Sequence, residues 1–350
     1  MIRAQPQTPL ARQLYAELTS APPLRFDAFM ARALFDSQHG YYAGGHADIG
    51  RNGDFYTSVT ATRMFGRILA DHFATVWESL GRPADFTLVE QGANDGTFAA
   101  DVLTALIDRH PALSTDLRLH LIEPFEHLRK AQRSRLKSLA PQLVWHDTID
   151  DLPPFTGVHF TNEFVDALPI RVIESSDHTW QEWYVTAHDG DLAIVHQPTD
   201  DDLPPPARDG DITELRPAAS DWLTTLAPKL RRGEILICDY GDLRDGRPRS
   251  TLTGYRRHQR TDNPLDHVGE QDLTAHVDFT SLTDTATAAG LTAAPLTDQY
   301  HFLVNAGRAL LLDLEKQPDT AQRASDLRGF KTLLHPEIMG TQFKFLTLTR

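Results

Sequence analysis

The 350-residue sequence predicts an α/β fold: a doubly wound, mostly parallel sheet with an N-terminal helical region and an antiparallel β insertion. Three features predict it. Short apolar runs that end in polar residues alternate with helical stretches from residue 86 onwards. Apolar residues repeat at threes and fours in residues 24–34 and 64–80. Residues 169–198 alternate like a β-meander.

The N-terminal region, residues 1–83, is predicted to be mainly helical. Its two apolar repeats, 24–34 and 64–80, are separated by a loop rich in glycine and aromatic residues. We expect this region and its loop to pack over the functional site of a larger core, residues 84–350. The aromatic residues of the loop either wall a cleft or pack the helices onto the core.

The core reads as strands alternating with helices. The predicted strands are Phe86–Val89, Leu117–Ile122, Leu143–Trp145, Val158–Phe160 and Ile235–Cys238. The predicted helices are Phe98–Arg109, Phe125–Leu139 and Pro217–Leu230. Ligands of such a sheet bind outside the carboxyl ends of its strands. We therefore expect the polar residues that end the strands to face one crevice: Glu90, Glu123, His146, Asp147, Thr161, Asn162, Glu163, Asp239 and Tyr240.

An insertion interrupts the core at about residues 169–198. Three runs of alternating residues separated by turn sequences predict an antiparallel β-meander there. The segment Thr199–Asp211, rich in proline and aspartate, is predicted to be irregular.

Composition limits the classes of partner. The chain has 34 basic and 48 acidic residues, a formal net charge of −14, which argues against a nucleic-acid surface. No apolar run reaches the roughly 18 residues of a membrane span, and the first residues lack an apolar signal core. Arg3 and Arg12 precede the first acid, Glu17, which faintly resembles a mitochondrial presequence, but folded-looking sequence follows within about twenty residues. We therefore expect a cytoplasmic protein that binds neither nucleic acid nor membrane.

Cysteine and histidine usage argues against a metal site. Cys238 is the single cysteine and stands in an apolar run, so we expect a buried, inert thiol. One cysteine leaves no disulfide and no thiolate cluster for zinc or iron–sulfur. The histidines are scattered without ligand spacing.

The strand that ends at Glu90 leads into a loop with two glycines, Gly92 and Gly96. A dinucleotide loop would read G-x-G-x-x-G, but Asn94 stands at the middle position and the later glycine is absent. The acids crowding this loop suit a cation better than a pyrophosphate. S-adenosylmethionine has a sulfonium, an ammonium and no phosphate, and its usual loop, acid-x-Gly-x-Gly-x-Gly, matches at three of four positions. We therefore expect this cofactor here, with Ala93 in contact and Asn94 in the left-handed conformation that glycine would adopt.

A second acid, Glu123, ends the next strand, where it can accept hydrogen bonds from both ribose hydroxyls. Asp147, after the third strand, could accept from the adenine amino group. We place Thr148 and Asn162 at the same cofactor site. Any one acid can also be a helix cap, but acids in register on successive strands favour a ligand site.

The sequence resembles the MidA-like S-adenosylmethionine-dependent methyltransferases, bacterial relatives of the mitochondrial arginine methyltransferase that assists complex I assembly. The likeness runs nearly end to end. The motifs that carry it are Gly40–Tyr42, GDFYTS at Gly53–Ser58, TNEFVDALP at Thr161–Pro169, ICDYG at Ile237–Gly241, Thr251–Leu282 and Phe330–Leu346.

Three positions depart from the family pattern. Asn94 replaces a glycine, Val59 and Thr60 replace Pro-Glu, and Arg67 replaces an acid. The first bears on cofactor affinity. The others remove carboxylates near the expected cleft and bear on whether the substrate is shared.

The resemblance implies a class I methyltransferase with a Rossmann-like sheet, S-adenosylmethionine as cofactor and a protein that presents an arginine as acceptor. A guanidinium stays cationic, so carboxylates must orient it. Glu163 and Asp166 follow the fourth strand and would share one face if a helical turn formed there. The alternative is that Asp166 caps a turn and Glu163 braces the loop.

Further residues are expected around the acceptor. His276 could be a base for a hydroxyl or amine, or could be hydrogen-bonded within its loop. The resemblance places a substrate-side loop at about residues 251–282. The other expected substrate-side residues are Tyr42, Asp54, Thr57, Ser58 and Asp272.

Two other functions stay open. The acceptor could be an oxygen or nitrogen of a small molecule. The protein could also be a non-catalytic assembly chaperone that kept the fold and lost turnover. Asn94 and the missing Pro-Glu favour these alternatives, whereas the retained acids and glycines favour an active enzyme. A homodimer is one arrangement to be tested.

Overall fold

The computed structural model describes residues 2–44, 58–140, 142–244, 250–257 and 259–350. Two predicted substrate-side residues, Asp54 and Thr57, lie outside these ranges, as does the side chain of Ser58. The chain forms two units, each with its own apolar core. The insertion unit comprises Met1–Phe55, Asp166–Asp221 and Arg244–Asp278. The sheet unit comprises Tyr56–Val165, Trp222–Leu243 and Phe279–Arg350.

The sheet unit contains the predicted parallel sheet. Its strands, in spatial order, are Thr292–Ala293, Phe343–Thr349, Leu230–Asp242, Phe155–Asn162, Phe86–Gln91, Arg118–Ile122 and Leu143–His146. The five strands from Leu230–Asp242 to Leu143–His146 run parallel, and Phe343–Thr349 pairs antiparallel with Leu230–Asp242. The short strand Thr297–Asp298 also pairs with Phe343–Thr349.

Helices accompany this sheet. They are Ser58–Ala61, Met64–Ser79, Thr97–Arg109, Pro111–Asp116, Glu126–Leu136, Phe279–Ala288, Gln299–Ala306, Arg308–Lys316 and Ala321–Leu334. A 3-10 turn spans Ala227–Lys229, a π-turn spans Pro336–Gly340, and the helix Pro217–Leu226 contains the point where the two units divide. All six residues of Phe86–Gln91 are buried, as expected of a central parallel strand covered on both faces.

The core of the sheet unit is apolar and aromatic. Phe160, on a central strand, stacks on Phe98 of the helix Thr97–Arg109 with ring centroids 4.5 Å apart. Cys238 is completely buried, which raises the pKa of its thiol well above the usual range. The predicted burial of this cysteine is therefore confirmed.

The insertion unit is built on antiparallel strands. In spatial order they are Arg3–Ala4, Asp191–Pro198, Thr179–His188, Arg171–Ser176 and Ile212–Leu215, with Leu24–Arg25 paired to Thr179–His188. A second small sheet consists of Gln259–Thr261, Thr253–Arg256 and Asp272–Thr274, and a further strand is Val277–Asp278. The helices are Pro9–Leu18 and Phe26–Phe35. Thr8 caps the first helix, because its hydroxyl accepts from the Ala11 amide at 3.1 Å.

The meander is confirmed, and residues 199–211 contain neither helix nor strand, as predicted. The two units differ from the predicted division at residue 83. The helix Met64–Ser79 belongs to the sheet unit, whereas the meander shares a core with the first helices of the chain. The reason is non-local pairing: Arg3 and Ala4 form a strand with Asp191–Pro198, far along the sequence.

Candidate active site

The strands of the parallel sheet end at a common carboxyl edge. Gln91 is in register with both Ile122 and Thr161, and Asn162 is in register with Cys238. The residues that follow these strand positions therefore meet at one edge of the sheet, as the sequence predicted.

The glycine loop has the conformation that the sequence requires. Gly92 and Gly96 have φ of 79° and 81°, and Asn94 has φ of 46°. Asn94 therefore takes the left-handed conformation predicted for a residue at a glycine position. A Cβ on Gly92 would lie 3.3 Å from the Phe164 ring, so the loop closely approaches the turn after the fourth strand. The Asp95 carboxylate accepts from the amide and hydroxyl of Thr97, at 3.0 and 2.7 Å, and orders the start of the next helix.

Glu90 is a buried acid with an unpaired oxygen. Its side chain is nearly inaccessible, and Oε2 has no hydrogen-bond partner. Burial, with the nearby Asp95 and Glu123 acting in the same direction, raises the pKa of Glu90 to about 8. A buried acceptor without a donor is costly, so this oxygen is suited to a ligand that brings a positive charge or an N–H group. The sulfonium or ammonium of S-adenosylmethionine fits this requirement.

Glu123 is held in one orientation at the end of the neighbouring strand. Its Oε1 accepts from the Phe125 amide at 3.1 Å, and its Oε2 accepts from Gln132 Nε2 at 3.1 Å. Burial raises the pKa of Glu123 to about 7, although these hydrogen bonds act in the opposite direction. Each carboxylate oxygen retains a lone pair for a further donor, as two ribose hydroxyls would require.

Asp147 and Thr148 are more peripheral. The Asp147 side chain is 71% exposed and forms an ion pair with Arg129. The amide and hydroxyl of Thr148 both donate to Asp151, at 3.1 and 2.9 Å. Arg129 also donates to the Glu123 carbonyl at 2.6 Å, so it links the ends of two adjacent strands.

The turn after the fourth strand fixes the Glu163 carboxylate. Its Oε1 accepts from Asn162 Nδ2 at 2.9 Å, and its Oε2 accepts from the Tyr240 hydroxyl at 2.8 Å. Asp239 supports the turn by accepting from the amides of Phe164 and Val165 at 3.2 and 2.9 Å. Asn162 Oδ1 is buried and has no hydrogen-bond partner.

The helical turn considered for Glu163 and Asp166 does not form. Glu163 has φ of 50°, which is left-handed, and the residues up to Asp166 form a bend and a turn. The premise that both carboxylates share a helical face is therefore wrong. A left-handed residue at Glu163 reverses the chain direction where a helix would need right-handed geometry.

The remaining candidates lie in the insertion unit. Tyr42 donates to the buried Asp272 at 3.1 Å. Burial raises the pKa of Asp166 to about 7, opposed by the Ala167 amide and by the charge of Arg216. His276 is exposed, and its amide donates to the Thr251 hydroxyl at 2.9 Å.

Several residues of the carboxyl edge were not singled out from the sequence as site residues. Gln132 bridges the glycine loop and Glu123, and Tyr240 holds Glu163. Tyr240 was noted only as the polar end of a strand. Gln132 lies on the helix that follows Glu123, and its sequence position is only a weak signal of a site residue, because long polar side chains on helices usually face solvent.

The fold and this edge define a class I, S-adenosylmethionine-dependent methyltransferase. Residues 68–297 match the family described as "Putative S-adenosyl-L-methionine-dependent methyltransferase". The chain belongs to this family, and the predicted class, fold, cofactor and methyltransferase activity are confirmed.

Curated relatives and solved structures agree. Protein arginine methyltransferase NDUFAF7, mitochondrial, of Rattus norvegicus is 30% identical, with 97% of this chain and 84% of the relative covered. The Drosophila melanogaster homologue is 28% identical, with 97% and 86% covered. A crystal structure of a Burkholderia thailandensis protein bound to S-adenosyl-homocysteine is 31% identical, with a TM-score of 0.86 and 97% and 92% of the two chains covered.

The cytoplasmic prediction is contradicted. The curated relatives from rat, human and fly are named as mitochondrial proteins. The prediction relied on the lack of an apolar signal core and on folded-looking sequence near the start of the chain, and neither observation bears on import into mitochondria. Within the described ranges, every helix is too short or too polar to span a bilayer.

Proposed function

We propose that this chain transfers a methyl group from S-adenosylmethionine to an arginine side chain of a protein. The names of the curated relatives support the acceptor. The observation that carries the proposal is the Glu163 carboxylate, which Asn162 and Tyr240 hold at the carboxyl edge of the sheet. Both donors are neutral in their ordinary states, so they orient Glu163 without neutralising it. A fixed carboxylate is the group that a cationic guanidinium needs.

The cofactor is proposed to lie against the glycine loop and the strand ends beside it. When bound, S-adenosylmethionine supplies a methyl group activated by its sulfonium. Glu90 would face a positive group of the cofactor, Glu123 the ribose hydroxyls and Asp147 the adenine amino group. The proposed contacts are Glu90, Gly92, Ala93, Asn94, Gly96, Glu123, Asp147, Thr148 and Asn162.

The acceptor nitrogen must lose a proton as it gains the methyl group. We propose Glu163 as the group that orients the guanidinium and Asp166 as the carboxylate that takes the proton. The pKa of Asp166, raised by burial to about 7, suits a base that operates near neutral pH. Tyr42 and Asp272 are proposed as supporting substrate-side residues, and Asp54, Thr57 and Ser58 stay predictions. His276 is the alternative base if the acceptor is a hydroxyl or an amine.

An active enzyme is favoured over a non-catalytic chaperone. Asn94 was one of the reasons to consider lost turnover, and its left-handed conformation meets the geometric need of a glycine position. We propose a protein partner rather than a nucleic acid, because the net charge of −14 would repel phosphate. The homodimer stays a prediction, which light scattering at several protein concentrations can test.

Glu163→Gln tests the proposal. It keeps the size of the side chain and removes its charge. We expect turnover on a protein acceptor to fall by about 100-fold or more while cofactor affinity changes by no more than a factor of a few. Calorimetry with S-adenosyl-homocysteine measures the second quantity.

The matched control is Glu174→Gln in the insertion unit. Glu174 also accepts from a neutral donor, Trp183 Nε1, at 2.8 Å. Its substitution should leave turnover unchanged. Full turnover in Glu163→Gln would refute the proposed role of Glu163 and make His276 the next residue to test.

A further inference from the structure

Gln132 is a completely buried polar residue that the proposed chemistry does not use. It lies on the helix Glu126–Leu136. Its Nε2 donates to the Asn94 carbonyl at 2.7 Å and to Glu123 Oε2 at 3.1 Å. Its Oε1 accepts from Trp145 Nε1 at 2.8 Å. One side chain therefore joins the glycine loop, the acid of the second strand and an indole on the edge strand.

The orientation of this amide follows from the chemistry of its neighbours. An indole nitrogen can only donate, so the amide oxygen must face Trp145. The amide nitrogen then faces two acceptors, a carbonyl and a carboxylate, and has two hydrogens to give them. If the amide were flipped, its nitrogen would face the indole nitrogen of Trp145, and two donors would meet. Its oxygen would face the Asn94 carbonyl and the Glu123 carboxylate, and three acceptors would meet. At a site with no access to water, such a mismatch is strongly disfavoured.

Trp145 is itself held in place. Arg133, on the helix that carries Gln132, lies over the indole ring at 4.9 Å from its centroid. Trp145 belongs to the edge strand Leu143–His146 and packs against the apolar core of the sheet unit, so both the core and the cation hold its ring. The Trp145 donor is thereby aimed at Gln132.

We infer that Gln132 is a positioning residue for the cofactor: through its amide it fixes the left-handed Asn94 in the loop and the direction of the Glu123 carboxylate. The inference rests on the proposed cofactor site and deepens it. The Phe125 amide holds one oxygen of Glu123 and Gln132 holds the other. The remaining lone pairs of the two Glu123 oxygens are therefore fixed in direction. Two such oxygens can accept hydrogen bonds from the two hydroxyls of a vicinal diol, such as that of an adenosine ribose.

Trp145→Phe is the first test, with S-adenosyl-homocysteine as the probe in calorimetry. The change removes the donor that orients Gln132 and leaves a ring under Arg133. We expect binding about three- to tenfold weaker, the scale of one hydrogen bond. The KM for S-adenosylmethionine should rise by a similar factor while kcat at saturation stays within about twofold, since the reacting groups are untouched.

Trp77→Phe is the matched control in the same unit. Trp77 Nε1 donates to the Pro83 carbonyl at 3.0 Å, and Arg82 lies over its ring at 5.4 Å. The two substitutions remove the same indole donor beneath the same kind of cation. Trp77→Phe should leave affinity for S-adenosyl-homocysteine within about twofold of the wild type, because no residue of the loop depends on Trp77.

Gln132→Glu is the second test, and its readout is the pH profile of binding. A buried glutamic acid at this position can donate only while it is protonated. Once ionised, it faces the Glu123 carboxylate and the Asn94 carbonyl, so affinity relative to the wild type should fall as pH rises from about 6 to 9. In the wild type the affinity should rise, because Glu90 and Glu123 ionise over the same range.

The outcomes separate the two claims. A pH slope of binding that is smaller or reversed in Gln132→Glu compared with the wild type, together with weaker binding in Trp145→Phe but not in Trp77→Phe, supports the positioning role. Wild-type affinity in Trp145→Phe, or a wild-type slope in Gln132→Glu, would overturn that role and leave the proposed function standing. A wild-type protein that fails to bind S-adenosyl-homocysteine would overturn the cofactor site and this inference together. If Gln132→Glu does not fold, Trp145→Phe against Trp77→Phe decides the question.

Discussion

Glu90 should release a proton when the cationic cofactor binds. It is buried, one of its oxygens has no donor, and burial raises its pKa to about 8. At pH 7 roughly nine-tenths of the free protein would therefore carry a proton at Glu90. A positive group of S-adenosylmethionine beside the carboxylate favours the ionised form. Binding and ionisation are then linked.

The pKa fixes the size of this linkage. If the ligand returns the pKa of Glu90 to its ordinary value of 4.5, binding at pH 7 releases about 0.9 proton from this group. Deprotonation then costs about 1.4 kcal/mol at pH 7, so affinity should rise about fivefold from pH 7 to 8 and approach a plateau about tenfold above its pH 7 value at higher pH. Glu90→Gln removes the contribution of Glu90 to proton release and to the pH dependence of affinity. The contribution of Glu123, whose pKa is about 7, then remains.

Calorimetry in buffers of different ionisation enthalpy measures the released protons directly. We expect the wild type to release about 0.9 proton more than Glu90→Gln at pH 7. Equal proton release by the two proteins would refute the reasoning. Stability gives a second readout. A carboxyl whose folded pKa is raised stabilises below pH 4.5 and loses that contribution as pH rises through about 8. Glu90→Gln should therefore raise the Tm of the unliganded protein at about pH 9.

Three further predictions concern other parts of the chain. Asn94→Gly should bind the cofactor as well as the wild type or slightly better, whereas Asn94→Val should bind it poorly because a β-branched residue resists φ of 46°; calorimetry checks both. Asp166→Asn should lower turnover on a protein acceptor less than Glu163→Gln does, and kinetics of the double variant should show a non-additive loss if both groups act on one acceptor. Asp326→Ala should lower the free energy of unfolding by about 2–4 kcal/mol at pH 7, because buried Asp326 accepts from Arg63 and Arg67 at 2.9 and 2.7 Å. Burial raises the pKa of Asp326, but the hydrogen bond and the charge of Arg63 lower it by more, so the net shift is downward. The difference in stability between the wild type and Asp326→Ala should therefore shrink as pH falls below about 4, which thermal melts at several pH values measure.

The parallel sheet was predictable because its signals are local. Each central strand is a short apolar run, and an α/β chain places the polar ends of such runs at one edge. The predicted strand Val158–Phe160 is nevertheless longer in the structure, Phe155–Asn162. Burial of its flanking polar residues depends on neighbouring strands, which a single-sequence pattern does not encode.

The division into units was not predictable from local pattern. Two short strands near the N-terminus, Arg3–Ala4 and Leu24–Arg25, belong to a sheet whose other strands lie beyond residue 170. Arg67, which departs from the family pattern, forms an ion pair with Asp326 on a helix more than 250 residues later. Non-local pairs of this kind leave no periodic signal in the sequence.

The candidate site was predictable in its backbone and less so in its side-chain contacts. Gly92, Asn94 and Gly96 have the positive φ that their residue types favour. The roles of Gln132 and Tyr240 depend on which side chains meet across the edge of the sheet, and that became visible only in the structure.

The most direct test of the central claim is methyl transfer into a lysate from a strain that lacks this protein. The purified chain and labelled S-adenosylmethionine are added, and the lysate is separated into protein and small-molecule fractions. We predict label in the protein fraction, recovered as methylarginine after hydrolysis, and incorporation about 100-fold slower or more with Glu163→Gln. Label confined to small molecules would contradict the protein acceptor. No transfer into either fraction, from a protein that binds the cofactor, would contradict the activity.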